Sequence, residues 1–72
     1  MEAKLRTWSG IESEELGDNW IQVAFRHDQN NTRVYRVFGK LDGETFDEHY
    51  DSEYDDNKRL AYSLYWDKLE QF

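Results

Sequence analysis

Two stretches near the middle of the chain alternate apolar and polar residues with a period of two, as in a strand with one buried face. The first covers residues 20–27. The second covers residues 32–41 and is rich in β-branched and aromatic residues, which strands favour. Residues 28–31 between them are Asp, Gln, Asn and Asn, a composition typical of a turn. The pattern therefore predicts an antiparallel hairpin.

The alternation also predicts the register of this hairpin. When Phe25 pairs with Tyr35, Val23 lies opposite Val37, and the apolar residues of both strands occupy the same face. A shift by one residue would place a valine beside an arginine. We therefore expect a five-residue connection between the strands rather than a four-residue one.

A second hairpin is predicted at Asp42–Gly43. A type I′ turn needs positive φ at both central residues, and Asp followed by Gly supplies it. The turn pairs Leu41 with Glu44 and extends the sheet by a third strand. The further pairs of this register are Gly39 with Phe46, Tyr35 with Tyr50, Phe38 with Asp47 and Arg36 with His49.

The segment after this turn, residues 44–56, has a competing interpretation as a helix. Thr45 and Glu48 have the spacing of a capping box, and the aromatic residues recur at every fourth position, as on one helix face. The Asp-Gly turn and the aromatic content favour a strand. That strand would lie at the edge of the sheet, with its rings facing inward.

The last part of the chain predicts a helix, because its apolar period changes from two to about 3.6 between residues 52 and 57. Asp55 and Asp56 would lie at the positive end of the helix dipole, and Lys68 would lie in the last turns. The predicted apolar stripe consists of Ala61, Leu64, Tyr65, Leu69 and Phe72, widened by Leu60, Tyr62 and Trp66.

The N-terminal region is less regular. Residues 1–8 alternate with a period of two and predict a short strand. Residues 11–18 are polar and acidic with only two apolar members, which favours a loop or a single helical turn. The expected fold is α+β, a small antiparallel sheet of three to four strands with one C-terminal helix packed across one face. Residues 1–72 would form a single domain.

Composition limits the size and setting of this domain. A chain of 72 residues buries a small core, and this chain has no cysteine to cross-link it. The absence of disulfides and of long apolar segments predicts a cytoplasmic protein with no signal peptide and no membrane span. Large rings supply much of the expected core, namely Trp8, Trp20, Phe25, Tyr35, Phe38 and Trp66.

Charge is distributed unevenly along the chain. The net charge is −7, and residues 1–41 carry equal numbers of acidic and basic residues, so the whole excess lies in residues 42–72. Residues 44–56 contain seven acidic residues and no Lys or Arg. Such a surface disfavours direct nucleic-acid binding and favours a basic protein partner. The competing explanation is that excess acid only keeps a small protein soluble.

Catalysis is not expected from this sequence. His27 and His49 have no cysteine partner, and no serine lies in a nucleophile motif. A chain this short also rarely encloses an active-site cleft. We therefore expect a non-enzymatic protein that needs no cofactor.

A calcium site is also not expected. Asp51, Glu53 and Asp55 have the spacing with which an EF-hand loop begins. The loop would need Gly at its sixth position and Glu at its twelfth, where this chain has Asp56 and Tyr62. We therefore predict no specific metal site.

Partner binding is the function that the sequence favours most. If residues 51–55 are extended, Asp51, Glu53 and Asp55 lie about 6.6–7 Å apart, close to the spacing of phosphates along a nucleic-acid strand. The protein would then act as a DNA mimic, an inhibitor that occupies the basic groove of a nuclease, repressor, polymerase or CRISPR complex. Phage anti-defence proteins and antitoxins are comparable in size, acidity and lack of cysteine. The candidate partner-binding residues are Asp47, Glu48, Tyr50, Asp51, Glu53, Tyr54, Asp55 and Asp56.

Two other functions remain open. Arg33 and Arg36, with aromatic residues such as Trp20 and Phe38, could form a sheet that binds single-stranded nucleic acid. The same arginines could instead pair with carboxylates on the neighbouring strand. A homo-oligomeric structural subunit is the third possibility, so the chain is expected to be a monomer or a homodimer.

Overall fold

The computed structural model describes residues 8–72 and has a four-stranded antiparallel sheet, in the order β1-β2-β3-β4, with one helix packed across it. This α+β architecture confirms the predicted fold class. The strand predicted over residues 1–8 lies outside the described residues, except for Trp8. The elements are β1 (Ser9–Leu16), β2 (Asn19–His27), β3 (Arg33–Leu41), β4 (Glu44–Tyr50) and α1 (Asn57–Leu69).

The central hairpin has the register predicted from the alternation, since Phe25 pairs with Tyr35 and Val23 with Val37. Its five-residue connection is closed by Asp28, whose Oδ1 accepts hydrogen bonds from the backbone N–H groups of Asn30 (2.9 Å) and Thr32 (3.0 Å). An aspartate that bonds to nearby backbone is a common way to hold a turn.

The second predicted hairpin is also confirmed. Asp42 and Gly43 have φ values of 53° and 88°, as a type I′ turn requires. Leu41 pairs with Glu44, and the four predicted pairs further along the strands are all present. Glu44–Tyr50 is therefore a strand, and the alternative helix over this segment is wrong.

Residues 11–18 differ from the prediction, because most of them belong to a strand. β1 pairs with β2, and Leu16 and Asn19 flank a two-residue turn in which Gly17 has a φ of 62°. Every residue of β1 is exposed. Without a buried face, a strand has no apolar alternation to reveal it, so the Gly-containing turn and the ladder to β2 hold β1 in place.

The turn between β1 and β2 and the turn between β3 and β4 lie at the same end of the sheet. The backbone N–H of Asp42 donates a hydrogen bond of 2.9 Å to Oδ1 of Asn19. The turn between β2 and β3 and the segment that follows β4 therefore lie at the opposite end.

The hydrophobic core lies between the sheet and the helix. Ala61 and Tyr65, one helical turn apart, are the buried residues of α1, and they cover β3 and β2. Trp66 was expected in the core but is 55% exposed, because it follows Tyr65 and lies about 100° further round the helix. The core cluster consists of Ile21, Val23, Tyr35, Val37, Ala61 and Tyr65.

The other face of the sheet is covered by aromatic rings and an arginine. Trp20 and Phe38 make an edge-to-face contact with centroids 5.7 Å apart. The guanidinium of Arg36 lies 4.3 Å from the centroid of Phe38 and 5.6 Å from that of Trp8. Trp20 and Phe38 therefore pack on this outer face rather than under the helix. No helix among residues 8–72 is long and apolar enough to cross a membrane.

Candidate functional site

The candidate site is the segment that joins β4 to α1, which we call the acidic junction and define as residues 51–56. Four of its six residues are acidic, and all six are exposed. Residues 45–50 lie in β4, whereas the acidic junction lies in neither the sheet nor the helix. Five of the eight partner-binding residues predicted from the sequence lie in it, and Ser52 is its sixth residue.

The backbone of the acidic junction forms hydrogen-bonded turns. The N–H of Tyr54 donates to the carbonyl of Asp51 (3.1 Å), and the N–H of Glu53 donates to Oδ1 of the same aspartate (3.2 Å). The predicted extended row of Asp51, Glu53 and Asp55 is therefore wrong. Asp51 accepts these bonds locally, as aspartates in turns commonly do, and this folds the chain back at the end of β4.

Asn57, the first residue of α1, attaches the acidic junction to the sheet. Its side-chain amide donates hydrogen bonds to the carbonyl oxygens of Arg33 (2.9 Å) and Asp51 (3.3 Å). Its own N–H donates to the carbonyl of Tyr54 (3.2 Å). One asparagine thus links the start of β3, the acidic junction and the start of the helix. Sequence reasoning did not identify this residue, because the pattern shows only that a helix begins near it.

Tyr50 and Tyr54 form an aromatic pair beside the carboxylates. Their ring centroids are 6.1 Å apart with an interplanar angle of 67°. Tyr50 packs against the core cluster, and burial raises the pKa of its hydroxyl, with a further contribution from the nearby Glu48 carboxylate. Tyr54 is 45% exposed. Tyr50 therefore positions the pair, and Tyr54 presents the ring that a partner can contact.

Three of the four carboxylates of the acidic junction form no ion pair with the described residues. Within residues 8–72, Asp51, Glu53 and Asp55 form no ion pair. Asp56 differs, because the guanidinium of Arg59 bonds to its carboxylate and lowers its pKa. Across the same part of the chain, no three His, Asp or Glu side chains are arranged to hold a metal ion.

A polar cleft of 560 Å³ separates the acidic junction from the turn between β2 and β3. Asp28 lines its far side, and the backbone N–H of Thr32 lowers the pKa of this carboxyl. The acidic surface therefore extends beyond the segment found in the sequence. The sequence indicates only that Asp28 belongs to a turn, and the fold brings it close to the acidic junction. The lining residues include Arg26, Asp28, Asn30, Asp51 and Glu53.

Asp47 and Glu48, also predicted as partner-binding residues, lie apart from the acidic junction. Asp47 is on the outer face of the sheet, where its two carboxylate oxygens accept hydrogen bonds of 2.8 and 2.7 Å from Arg36. These bonds lower the pKa of Asp47. Glu48 pairs with Val37 on the other face and is exposed at the edge. Asp47 thus has an internal counter-charge, and Glu48 does not share its face.

Arg33 and Arg36 lie on opposite faces of the sheet. The guanidinium of Arg33 is 4.1 Å from the ring centroid of Phe25 on the helix-covered face. Arg36 stacks on the outer face, as described above. The predicted pairing of these two arginines in one nucleic-acid-binding surface is therefore wrong, since their separation by three positions in a strand places them on different sides.

Comparison with protein-family models, with curated proteins and with solved structures finds no match for this chain. Any proposal about its function therefore depends on the geometry and the charge of the surfaces described above.

Proposed function

We propose that the chain is a non-enzymatic acidic protein-binding module that inhibits its partner by occupying a basic, nucleic-acid-binding surface. The contact surface is the acidic junction, including the exposed ring of Tyr54. The observation that supports this is the combination of three exposed carboxylates, those of Asp51, Glu53 and Asp55, which form no ion pair inside residues 8–72, and a turn that is closed by local hydrogen bonds and attached to the sheet through Asn57.

Pre-organisation favours such a contact. A flexible acidic tail loses conformational entropy when it binds, whereas a turn already fixed by Asp51 and Asn57 loses less. The carboxylates attract a basic groove over distances near the Debye length, which accelerates association and makes it sensitive to salt. Tyr54 supplies an aromatic contact of the type enriched in binding hot spots.

The test compares two variants that each remove three negative charges. The first carries Asp51→Asn, Glu53→Gln and Asp55→Asn, and Asn at position 51 keeps an oxygen that can accept the turn hydrogen bond. The matched control carries Asp18→Asn, Asp42→Asn and Glu44→Gln at the other end of the sheet. Captured proteins from the cells that produce the chain are identified, and each is tested for displacement of a labelled oligonucleotide.

We expect the natural chain and the control to capture a nucleic-acid-binding protein and to displace its oligonucleotide, more weakly as salt rises. The junction variant should bind that protein at least about tenfold less tightly. Equal binding by the two variants would contradict the role of the acidic junction. Binding without displacement of the oligonucleotide would contradict inhibition at the nucleic-acid-binding surface.

Binding of single-stranded nucleic acid is the second candidate, and the outer face of the sheet supports it. The guanidinium of Arg26 lies 5.0 Å from the ring centroid of Trp8, and Arg36 stacks on Phe38 on the same face. Against it, Arg36 is already paired with Asp47. A gel shift with mixed-sequence RNA and DNA separates the candidates: the inhibitor shifts neither, whereas a shift lost in Arg26→Gln would support the second.

A further inference from the structure

Within residues 8–72, the outer edge of β1 is an open sheet edge. All eight residues of this strand are exposed. No strand within residues 8–72 pairs with its outer side, and α1 packs mainly against the other three strands. An open edge offers unpaired backbone N–H and C=O groups to any extended chain that approaches it.

The hairpin register identifies the backbone groups that point outward. In a hairpin closed by two residues, the flanking pair, here Leu16 and Asn19, is hydrogen-bonded, and hydrogen-bonded and non-hydrogen-bonded pairs then alternate. The N–H and C=O groups of Ser13 and Glu15 therefore face away from β2. A bulge between Gly10 and Glu12 ends the regular stretch, so the open edge covers residues 12–16.

The charge of this edge selects its partner. Sheet edges are commonly protected by lysine, proline or a bulge, but the regular part of β1 carries Glu12, Glu14 and Glu15. A second copy of β1 would bring glutamates against glutamates, which is unfavourable, whereas opposite charges across neighbouring strands are favourable. The edge therefore disfavours pairing with a second copy of β1 and favours pairing with a cationic strand.

The helix-side face of β1 strengthens this selection. Glu12 and Glu14 point to that side, since they pair with the buried residues Val23 and Ile21. Burial raises the pKa of the Tyr65 hydroxyl on α1, and the charges of Glu12 and Glu14 raise it further. Leu16 on the same face is 62% exposed. Side chains on the helix side of an added strand would therefore contact the carboxylates of Glu12 and Glu14 and the apolar side chain of Leu16.

We infer that the open edge of β1 binds an extended segment of a partner protein in which Lys or Arg alternates with other residues, adding it as a fifth strand. Backbone hydrogen bonds to Ser13 and Glu15 supply affinity, and Glu12 and Glu14 select the cationic side chains. This surface lies at the edge of the sheet opposite β4. It is independent of the function proposed for the acidic junction.

Labelled peptides of about eight residues, long enough to form one strand, test the inference by fluorescence anisotropy. The parent peptide alternates Lys and Thr. Lysines placed opposite Glu12 and Glu14 leave the threonines opposite Ser13 and Glu15, where the hydrogen bonds form. N-methylation of the threonines removes the donors of those bonds, whereas N-methylation of the lysines removes only N–H groups that point away.

We expect threonine N-methylation to weaken binding by about tenfold or more, since it removes the hydrogen bonds donated to Ser13 and Glu15. Lysine N-methylation should change binding little. Equal loss from both peptides, or equal binding by both, would overturn the inference, because simple ionic attraction does not distinguish them. A dimer in light scattering, with β1 amides protected from exchange, would also overturn it by assigning the edge to a second copy.

Protein variants supply the second readout. Glu12→Gln with Glu14→Gln should weaken binding of the parent peptide by about fivefold, while Asp42→Asn with Glu44→Gln, which removes the same charge at the β3–β4 turn, should not. The triple variant of the acidic junction should also bind the peptide normally. A loss in all three variants would show that net charge alone attracts the peptide and would contradict a site on β1.

Discussion

The two edge strands of the sheet differ in what holds them in place. Both belong to hairpins closed by two-residue turns, at the same end of the sheet. β4 places the rings of Phe46 and Tyr50 against the core cluster, and Lys68 of the helix lies 4.7 Å from the ring centroid of Phe46. β1 has no buried residue at all and depends on its ladder to β2.

The difference separates stability from binding. Side chains that pack under the helix cannot also contact a partner. β4 therefore contributes to the stability of the fold and leads into the acidic junction. Because β1 contributes few buried contacts, its side chains and outer edge are free to be selected for recognition. The acidic residues near β4 are therefore held by a strand that packs on the core, whereas those of β1 lie on an exposed strand whose outer edge can bind a partner.

The largest expected effect comes from a substitution at Gly39, where the two central strands β2 and β3 lie against each other. A Cβ atom at Gly39 would lie 2.1 Å from the carbonyl oxygen of Trp20 and 2.8 Å from Cα of Ile21. These are backbone atoms of the adjacent strand and cannot move alone. We expect Gly39→Ala to lower the free energy of unfolding by about 3 kcal/mol, measured by urea denaturation.

The same substitution at the edge is its control. A Cβ at Gly10 in β1 would meet only the side-chain end of Gln22, at 2.4 Å, and that side chain can change rotamer. Gly10→Ala should therefore change stability by less than about 1 kcal/mol. Similar losses at both positions would show that β1 is as rigidly packed as the centre.

A smaller effect is expected when a side chain is truncated on each edge strand. Phe46→Ala in β4 should destabilise the fold by about 2 kcal/mol, less than a fully buried phenylalanine because Phe46 is only partly buried. Leu16→Ala in β1 should cost less than about 0.5 kcal/mol, since the side chain is already 62% exposed. Thermal unfolding of the two variants measures both, and equal losses would remove the distinction between the edges.

The contrast between the edges also explains how far the sequence could predict this fold. β2, β3 and β4 carry rings or β-branched residues on one face, so alternation and the Asp-Gly turn were enough for their register. β1 buries nothing, and its pattern of Ser and Glu is equally typical of a loop. Its state depends on a tertiary ladder that no local pattern encodes.

The candidate site was predictable in position but not in shape. Acidic composition located the acidic junction. The turn made by Asp51 depends on hydrogen bonds to residues two and three positions further along. The attachment through Asn57 depends on side-chain to backbone hydrogen bonds between residues six and more positions apart. The approach of Asp28 from another turn depends on the fold. A sequence thus shows which segment is charged, but not how far apart those charges lie in the folded chain.

The smallest expected effect concerns the ion pair that holds β4 to β3 on the outer face. Arg36 lowers the pKa of Asp47 in the folded chain, so as pH falls the unfolded chain takes up the proton first. The stability contributed by this carboxylate is present above the pKa of the unfolded chain and is lost as pH falls below about 4. Because the Asp47 side chain is 45% exposed, solvent screening limits the contribution to about 1 kcal/mol.

Asp47→Asn should therefore lower stability at neutral pH by about that amount and should flatten the decline between neutral pH and pH 3. Urea denaturation at both pH values measures it. Glu44→Gln on the same strand is the control and should keep the natural pH dependence, because Glu44 forms no ion pair in the described part of the chain. Asp28 and Asp56, whose pKa values are also lowered, should leave a residual decline in both variants. An unchanged profile in Asp47→Asn would mean that ring stacking on Arg36, rather than its ion pair, attaches this edge to the sheet.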